Sequence, residues 1–158
     1  MTTKIKPIPD GYHSLSPYLI VRGAAEALAF YQKAFGATDI CRLDAPDGTV
    51  AHAEMKIGDS IIMVSEENPA WDSASPQTLG GSPVTLFLYV NDVDSTFADA
   101  IKAGATEKRP VANQFWGDRS GHVVDPFGHY WHIATHIEDV DPSELPSRMA
   151  ACFAAHQE

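Results

Sequence analysis

The stretch Phe30-Tyr31-Gln32-Lys33-Ala34-Phe35-Gly36-Ala37-Thr38 decides the fold assignment, because it ends a predicted helix and returns in part later in the chain. Apolar residues at helical spacing predict that helix over 24–35, and Gly36 is a typical stop. The stretch Ala103-Gly104-Ala105-Thr106 ends a second predicted helix, over 93–103, in the same way. The two stop glycines lie 68 positions apart.

Two further pairs of residues repeat at nearly the same distance. Val21 and Val90 precede the two helices and lie 69 positions apart. Gly58 and Gly128 each precede a later predicted strand and lie 70 positions apart. Three offsets that agree this closely indicate an internal duplication.

Short β-prone runs surround each helix, with turn residues such as Gly58-Asp59 between them. The predicted strands are 16–21, 39–43, 50–57, 60–65, 84–90, 119–124 and 129–135. The pattern predicts an α+β fold of two tandem βαβββ modules. One helix covers only one face of a sheet, so two such sheets set edge to edge would form a half-barrel cup.

The predicted boundaries follow from composition. They are a first βαβββ module at 14–65, a Pro-, Gly- and Ser-rich linker at 66–83, a second module at 84–136 and a C-terminal helical tail at 137–158. The tail has an apolar stripe of Leu145, Met149, Cys152 and Phe153. We expect it to pack on the body of the protein or on a second subunit.

Strand alternation separates two sets of side chains. The uniformly apolar set, expected to face the helices, is Leu19, Val21, Ile62, Val64, Leu86, Leu88, Val90, Trp131 and Ile133. The other set mixes aromatic and polar groups, which is typical of a ligand pocket, although a second core face is the alternative. Its members are Ser16, Tyr18, Ile20, Ile61, Met63, Ser65, Thr85, Phe87, Tyr89, Tyr130 and His132. His52 and Glu54 share one face of their strand.

The loop Phe115-Trp116-Gly117-Asp118-Arg119 places two large aromatic residues beside a pair of opposite charges. It either is pinned by contacts of Asp118 and Arg119, or forms a rim that stacks on a planar or cationic ligand. The predicted ligand-binding residues are Tyr18, Met63, Phe87, Tyr89, Trp116, Arg119, Tyr130 and His132.

Charge and composition limit the partners. The chain has 158 residues and a formal net charge of −10, which argues against binding to nucleic acid or to an anionic membrane. It contains no apolar run of signal-peptide or membrane-spanning length. Cys41 and Cys152 have no metal-ligand spacing and are expected to be reduced thiols. We therefore expect a cytoplasmic protein whose partner is a small molecule.

The histidines carry little metal signal. His129, His132 and His136 are expected on a strand, where only the last two share a face. A helical zinc-protease motif and a G-x-S-x-G nucleophile elbow are both absent from the sequence. No cofactor is therefore expected. If a divalent metal (Zn, Ni, Mn or Fe) is bound, the candidate ligands are His132 with His52 or Glu54.

Several motifs resemble the vicinal oxygen chelate superfamily of glyoxalase I, bleomycin-resistance proteins and extradiol dioxygenases, and most closely its PhnB-like, glyoxalase-related subgroup. The resemblance covers about residues 14–140. It rests on Ser16-Pro17-Tyr18-Leu19, Phe30-Tyr31-x-x-x-Phe35-Gly36-Ala37, Ala51-His52-Ala53-Glu54, Phe115-Trp116-Gly117-Asp118-Arg119-Ser120-Gly121 and Asp125-Pro126-Phe127-Gly128-His129-x-Trp131.

The resemblance implies a homodimer and four metal-ligand positions in the metal-dependent members. Here those positions fall near Ser16, Met63, Thr85 and His132, and only His132 is a good ligand for a divalent ion. Two hypotheses follow. The protein binds a small planar or cationic molecule without a tightly held metal, or it is a metal-dependent glyoxalase-like lyase, isomerase or dioxygenase with His132 as a ligand. Whether it is an enzyme stays open at this point.

Overall fold

The computed structural model describes residues 5–155, which divide after Ser82 into two compact units. Each unit contains one four-stranded mixed sheet with a long helix. The predicted α+β fold with two βαβββ modules is confirmed. The single cup built from both sheets and the homodimer stay predictions. Within residues 5–155 no helix is long and apolar enough to cross a membrane.

The first unit has strand order β1-β4-β3-β2. The pairing of β1 with β4 is parallel, and the other two pairings are antiparallel. Its elements are β1 (Tyr18–Val21), α1 (Ala24–Phe35), β2 (Thr38–Asp44), β3 (Val50–Ile57), β4 (Ser60–Glu66), a 3₁₀ helix (Pro69–Trp71) and α2 (Pro76–Leu79).

The second unit repeats this arrangement with strand order β5-β8-β7-β6 and a parallel pairing of β5 with β8. Its elements are β5 (Thr85–Tyr89), α3 (Val93–Ala103), β6 (Thr106–Asn113), β7 (Asp118–Val124), β8 (Tyr130–His136) and α4 (Leu145–Ala155). Both predicted long helices are confirmed at the predicted bounds.

Each long helix packs on one face of its sheet. In the first unit, Phe30 and Tyr31 are buried together with Leu19, Val21 and Val64 of the sheet. Helix α1 begins without a side-chain cap of its own. Instead the carboxylate of Glu66 accepts the backbone N–H groups of Gly23 and Ala24 at 2.8 and 2.7 Å. Buried apolar surface and a satisfied helix start therefore hold α1 to β4.

In the second unit, Trp131 and Ile133 are buried on the α3 face, as the alternation predicts. Asp92 caps α3 by accepting the backbone N–H of Ser95. Gly121 of β7 lies under the ring of Phe97, and a Cβ at this position would come within 2.7 Å of that ring. Close packing of helix on sheet therefore depends on glycine at this point.

Strand β6 and the tail differ from the sequence expectation. Strand β6 has no predicted counterpart, because Thr106–Asn113 is polar, contains Pro110 and is exposed except at the half-buried Val111. It is an edge strand, where proline is tolerated. Helix α4 forms, but it buries none of its described residues, and Phe153 is 64% exposed.

Candidate functional site

The face of the second sheet that lies opposite α3 carries a group of aromatic and titratable side chains. We call Phe87, Tyr89, Trp116, Asp118 and His132 the second-sheet cluster. Phe87 pairs in register with His132, and their ring centroids are 4.3 Å apart. The ring centroids of Phe87 and Tyr89 are 4.9 Å apart. Those of Trp116 and His132 are 6.3 Å apart, in an edge-on arrangement. The rings therefore form one continuous surface on adjoining strands.

The carboxylate of Asp118 connects two aromatic residues of the cluster by hydrogen bonds. Its side chain is almost fully buried, and its Oδ2 accepts the Tyr89 hydroxyl at 3.0 Å and the Trp116 indole N–H at 2.9 Å. Its Oδ1 lies 2.8 Å from Nδ1 of His136. Burial raises the pKa of Asp118, but the hydrogen bonds from His136, Tyr89 and Trp116 outweigh it, so the pKa is lowered. A fixed anion therefore lies at the polar edges of the Tyr89 and Trp116 rings.

His132 is a buried and uncharged imidazole at neutral pH. Burial is the main reason that its pKa is lowered to about 4; the electrostatic effects of His122 and Arg109 act in the same direction, and the Asp118 carboxylate opposes them. Its Nε2 lies 2.8 Å from the Ser120 hydroxyl, and its ring centroid is 3.8 Å from that of His122. Burial also lowers the pKa of His122. Both imidazoles therefore contribute neutral hydrogen-bonding groups to this face.

The loop before β7 has a geometry that requires glycine. Gly117 has φ +101°, and a Cβ there would lie 2.2 Å from the carbonyl oxygen of Glu138. Its own carbonyl accepts the N–H groups of Ile137 and Glu138. Since Gly117 lies between Trp116 and Asp118, this close contact places both cluster residues.

The other two predicted residues of the second sheet, Arg119 and Tyr130, lie on opposite faces of it. Arg119 follows Asp118 on β7, so its side chain lies on the opposite face, where it forms a bidentate ion pair with Asp94 of α3 at 2.7 Å. The structure therefore does not bring Arg119 into the second-sheet cluster. Tyr130 lies on the same face as His132, in register with Thr85.

The open face of the first sheet carries a separate polar group. Tyr18, Met63 and Glu54 are in register across β1, β4 and β3, so they share this face. His52 is on the same face, with Nε2 3.1 Å from Glu54 Oε1. Tyr12, which precedes β1, donates its hydroxyl to the other oxygen of Glu54.

This face borders a pocket of about 490 Å³, whose lining includes Pro7, Ile8, Pro9, Tyr12, His13 and Ser14. Its other lining residues are Ser16, Glu54 and Met63. Ser16 and Met63 are two of the four positions that the sequence resemblance indicates for metal ligands. The pocket therefore adjoins predicted functional positions of the first module.

Comparison with known proteins identifies the family of this chain. A family model described as the Glyoxalase/Bleomycin resistance protein/Dioxygenase superfamily matches residues 12–133. The chain belongs to that superfamily. An uncharacterized protein of Mycobacterium tuberculosis is 41% identical over 141 residues, which are 87% of this chain and 83% of that protein.

Solved structures of the superfamily fold are similar as well. The product of an Arabidopsis thaliana gene, At5g48480, is 28% identical and matches with a TM-score of 0.63 over 78% of this chain and 98% of its own. The fosfomycin resistance protein FosX of Listeria monocytogenes, solved with Mn(II) and a dihydroxypropylphosphonic acid, is 20% identical. It has a TM-score of 0.59 and covers 76% of this chain and 87% of its own. The second likeness shows the fold alone.

The superfamily's metal positions can be tested against the residues present. Ser16, Met63 and Thr85 carry hydroxyl or thioether groups, which are poor ligands for a divalent ion. His132, the fourth, is bonded to Ser120 and packed against Phe87. These four residues do not fit a tightly held metal.

The sequence pattern does not indicate several residues of the two faces. It indicates Asp118 only as a contact of its loop, and it indicates no functional role for Ser120, His122, His136 or Tyr12. Alternation along β7 puts Asp118, Ser120 and His122 on one face, so the bounds of that strand would have been sufficient to group them. Tyr12 precedes β1, and no periodic pattern would have placed it.

Proposed function

We propose that this superfamily member binds a planar or cationic small molecule on the second-sheet cluster, without a metal held at the four positions expected from its family. The observation that carries the proposal is the shared carboxylate of Asp118. It fixes Tyr89 and Trp116 beside the rings of Phe87 and His132 before any ligand arrives.

Preorganised rings lower the cost of binding. Side chains that are already held by hydrogen bonds lose little rotamer freedom when a ligand stacks on them. Phe87 and Tyr89 are 47% and 60% exposed in the single chain, so their faces are accessible to a ligand. Such surfaces favour a flat ring system.

Charge favours a cation over an anion. The formal net charge of −10 raises the local concentration of cationic ligands. The Asp118 carboxylate lies at the polar edges of the Tyr89 and Trp116 rings. A cation over an aromatic face is also attracted by the ring itself. His132, uncharged at neutral pH, does not oppose that attraction.

Three probes separate the contributions of shape and charge. Proflavine is planar and cationic, acridone is planar and neutral, and tetraethylammonium is cationic without a ring. We expect the unfolding temperature to rise most with proflavine. A ligand at 100 times its dissociation constant stabilises the folded state by about 2.7 kcal/mol. No rise with any of the three would contradict the proposal.

Variants assign the site. An aromatic contact is worth about 0.5–1.5 kcal/mol, so Trp116→Ala should weaken proflavine binding about 2- to 12-fold in calorimetric titration. Trp71→Ala is the matched control, because Trp71 is 72% exposed in the first unit. Equal loss in both variants would show that proflavine binds exposed aromatic residues without selectivity.

A further inference from the structure

A second chemical cluster lies in the first unit, on strands β2 and β3. Cys41, His52 and Glu54 each offer one potential ligand atom, and these atoms all lie within 4.8 Å of one another. We propose that these three residues form a binding site for one Zn²⁺ ion. The site uses none of the four positions that the superfamily resemblance indicates, and it does not depend on ligand binding at the second-sheet cluster.

The strand register brings the three residues together. Cys41 pairs directly with Glu54 across β2 and β3, and His52 lies two residues before Glu54 on the same face. The pairing shifts register between Asp39 and Cys41, where β2 has a bulge. Bulges re-aim side chains near functional sites, and here the shift places Cys41 opposite Glu54.

The groups around the cluster match the outer shell of a metal site. A histidine that binds a metal usually has its second ring nitrogen in a hydrogen bond, and a ligating carboxylate is also held by a neighbour. The Tyr18 hydroxyl lies 3.3 Å from His52 Nδ1, which leaves Nε2 directed at Glu54. Tyr12 donates its hydroxyl to the second oxygen of Glu54. His52 and Glu54, the two proposed ligands on β3, are therefore already oriented by these hydrogen bonds.

The chemistry of the donors selects the metal. Thiolate and imidazole favour Zn²⁺, whereas Mg²⁺ and Mn²⁺ prefer sites built from oxygen. The Cys41 thiol is exposed and must lose its proton to solvent when the Zn–S bond forms. Binding of Zn²⁺ should therefore release the Cys41 proton to solvent.

Three protein ligands leave one tetrahedral position for water or for a ligand atom. Glu54 belongs both to the cluster and to the pocket of about 490 Å³ lined by Tyr12, Ser16 and Met63. That pocket gives space for the fourth ligand. The arrangement has the composition of an open zinc site rather than of a closed structural one.

Cobalt reports the sulfur ligand directly. The reduced full-length protein, purified without a metal-affinity tag and treated with chelator, is titrated with Co²⁺. We expect one equivalent to produce tetrahedral d–d bands and a thiolate-to-cobalt charge-transfer band, which one equivalent of Zn²⁺ abolishes. Cys41→Ser should remove the charge-transfer band. Cys152→Ser, the matched control at the other cysteine, should keep it.

Two further variants test the rest of the site. His52→Gln should abolish one-to-one binding, and Tyr18→Phe should weaken Zn²⁺ affinity about 10- to 100-fold, as expected for an outer-shell partner. Circular dichroism checks that each variant is folded. Absence of a charge-transfer band in the unaltered protein overturns the proposal, whatever the variants do. A band that persists in Cys41→Ser overturns it equally.

Discussion

Trp116 and Asp118 are joined by an indole-to-carboxylate hydrogen bond of 2.9 Å across a single glycine. The same carboxylate oxygen accepts the hydroxyl of Tyr89 from β5, so one buried anion fixes two aromatic walls that lie far apart in sequence. The loop before β7 is thereby connected to the edge strand of the sheet. Stability and ligand geometry in the second unit should depend on this one side chain.

Substitution of Asp118 should therefore be graded. In Asp118→Asn, the amide oxygen can still accept from Tyr89 and Trp116 while the NH₂ group faces His136, so the loss of unfolding free energy should be about 1 kcal/mol. In Asp118→Ala, two part-buried donors lose their acceptor, and the loss should be larger, about 2–3 kcal/mol. Urea unfolding at pH 7 measures both.

Asp139 supplies the control for this series. It is an exposed carboxylate that contacts the other ring nitrogen of His136 at 2.9 Å. Asp139→Ala should change the free energy of unfolding much less than Asp118→Ala. Equal losses would mean that the contact with His136, rather than the aromatic walls, accounts for the role of Asp118.

Much of the fold is predictable because apolar periodicity and stop glycines record it directly. Helices α1 and α3 end at Gly36 and Gly104, and the residues facing them are uniformly apolar. Strand β6 is not predictable in this way. An exposed edge strand has no buried face to impose alternation, and Pro110 contradicts the usual strand signal.

The candidate sites are only partly predictable. The aromatic residues of the second-sheet cluster follow from alternation, but Arg119 does not belong with them, because a change of one position reverses the face. The cluster of Cys41 with His52 and Glu54 depends on the cross-strand register, which a bulge in β2 shifts. Sequence spacing carries no record of that register.

Gly117→Ala should lower the free energy of unfolding by more than the cost of placing an alanine at positive φ. A non-glycine residue in such a backbone conformation costs about 1–3 kcal/mol. At Gly117 the new Cβ would also meet the Glu138 carbonyl, so we expect a loss at the upper end of that range or beyond. Gly48→Ala is the matched control, since Gly48 has φ +85° with open space around it. Similar losses of unfolding free energy in both variants would argue against the close contact.

Gly121→Ala should separate α3 from its sheet without any backbone strain. The added methyl group would lie within 2.7–3.0 Å of the Phe97 ring and of Val111, and overpacking of this kind costs about 1–3 kcal/mol. Adding Phe97→Leu should recover part of the loss, because a smaller side chain vacates the space. A double-mutant cycle from urea unfolding measures the coupling. Strictly additive losses would contradict direct contact.

The protein should lose stability in acid because of His132. Burial lowers the pKa of the folded-state imidazole to about 4, against an ordinary value of 6.5. Between these values the unfolded chain binds a proton that the folded chain does not, so stability falls as pH is lowered from 6.5 to 4, by at most about 1.4 kcal/mol per pH unit. His132→Gln should remove this contribution to the dependence of the unfolding free energy on pH.

His136→Gln should have the opposite effect on the pH dependence. Hydrogen bonds to Asp139 and Asp118 raise the pKa of His136 and stabilise its charged form at low pH, so this variant should lose stability mainly at low pH. Unfolding free energies measured at several pH values test both signs, and parallel curves for His132→Gln and the unaltered protein would contradict the assignment.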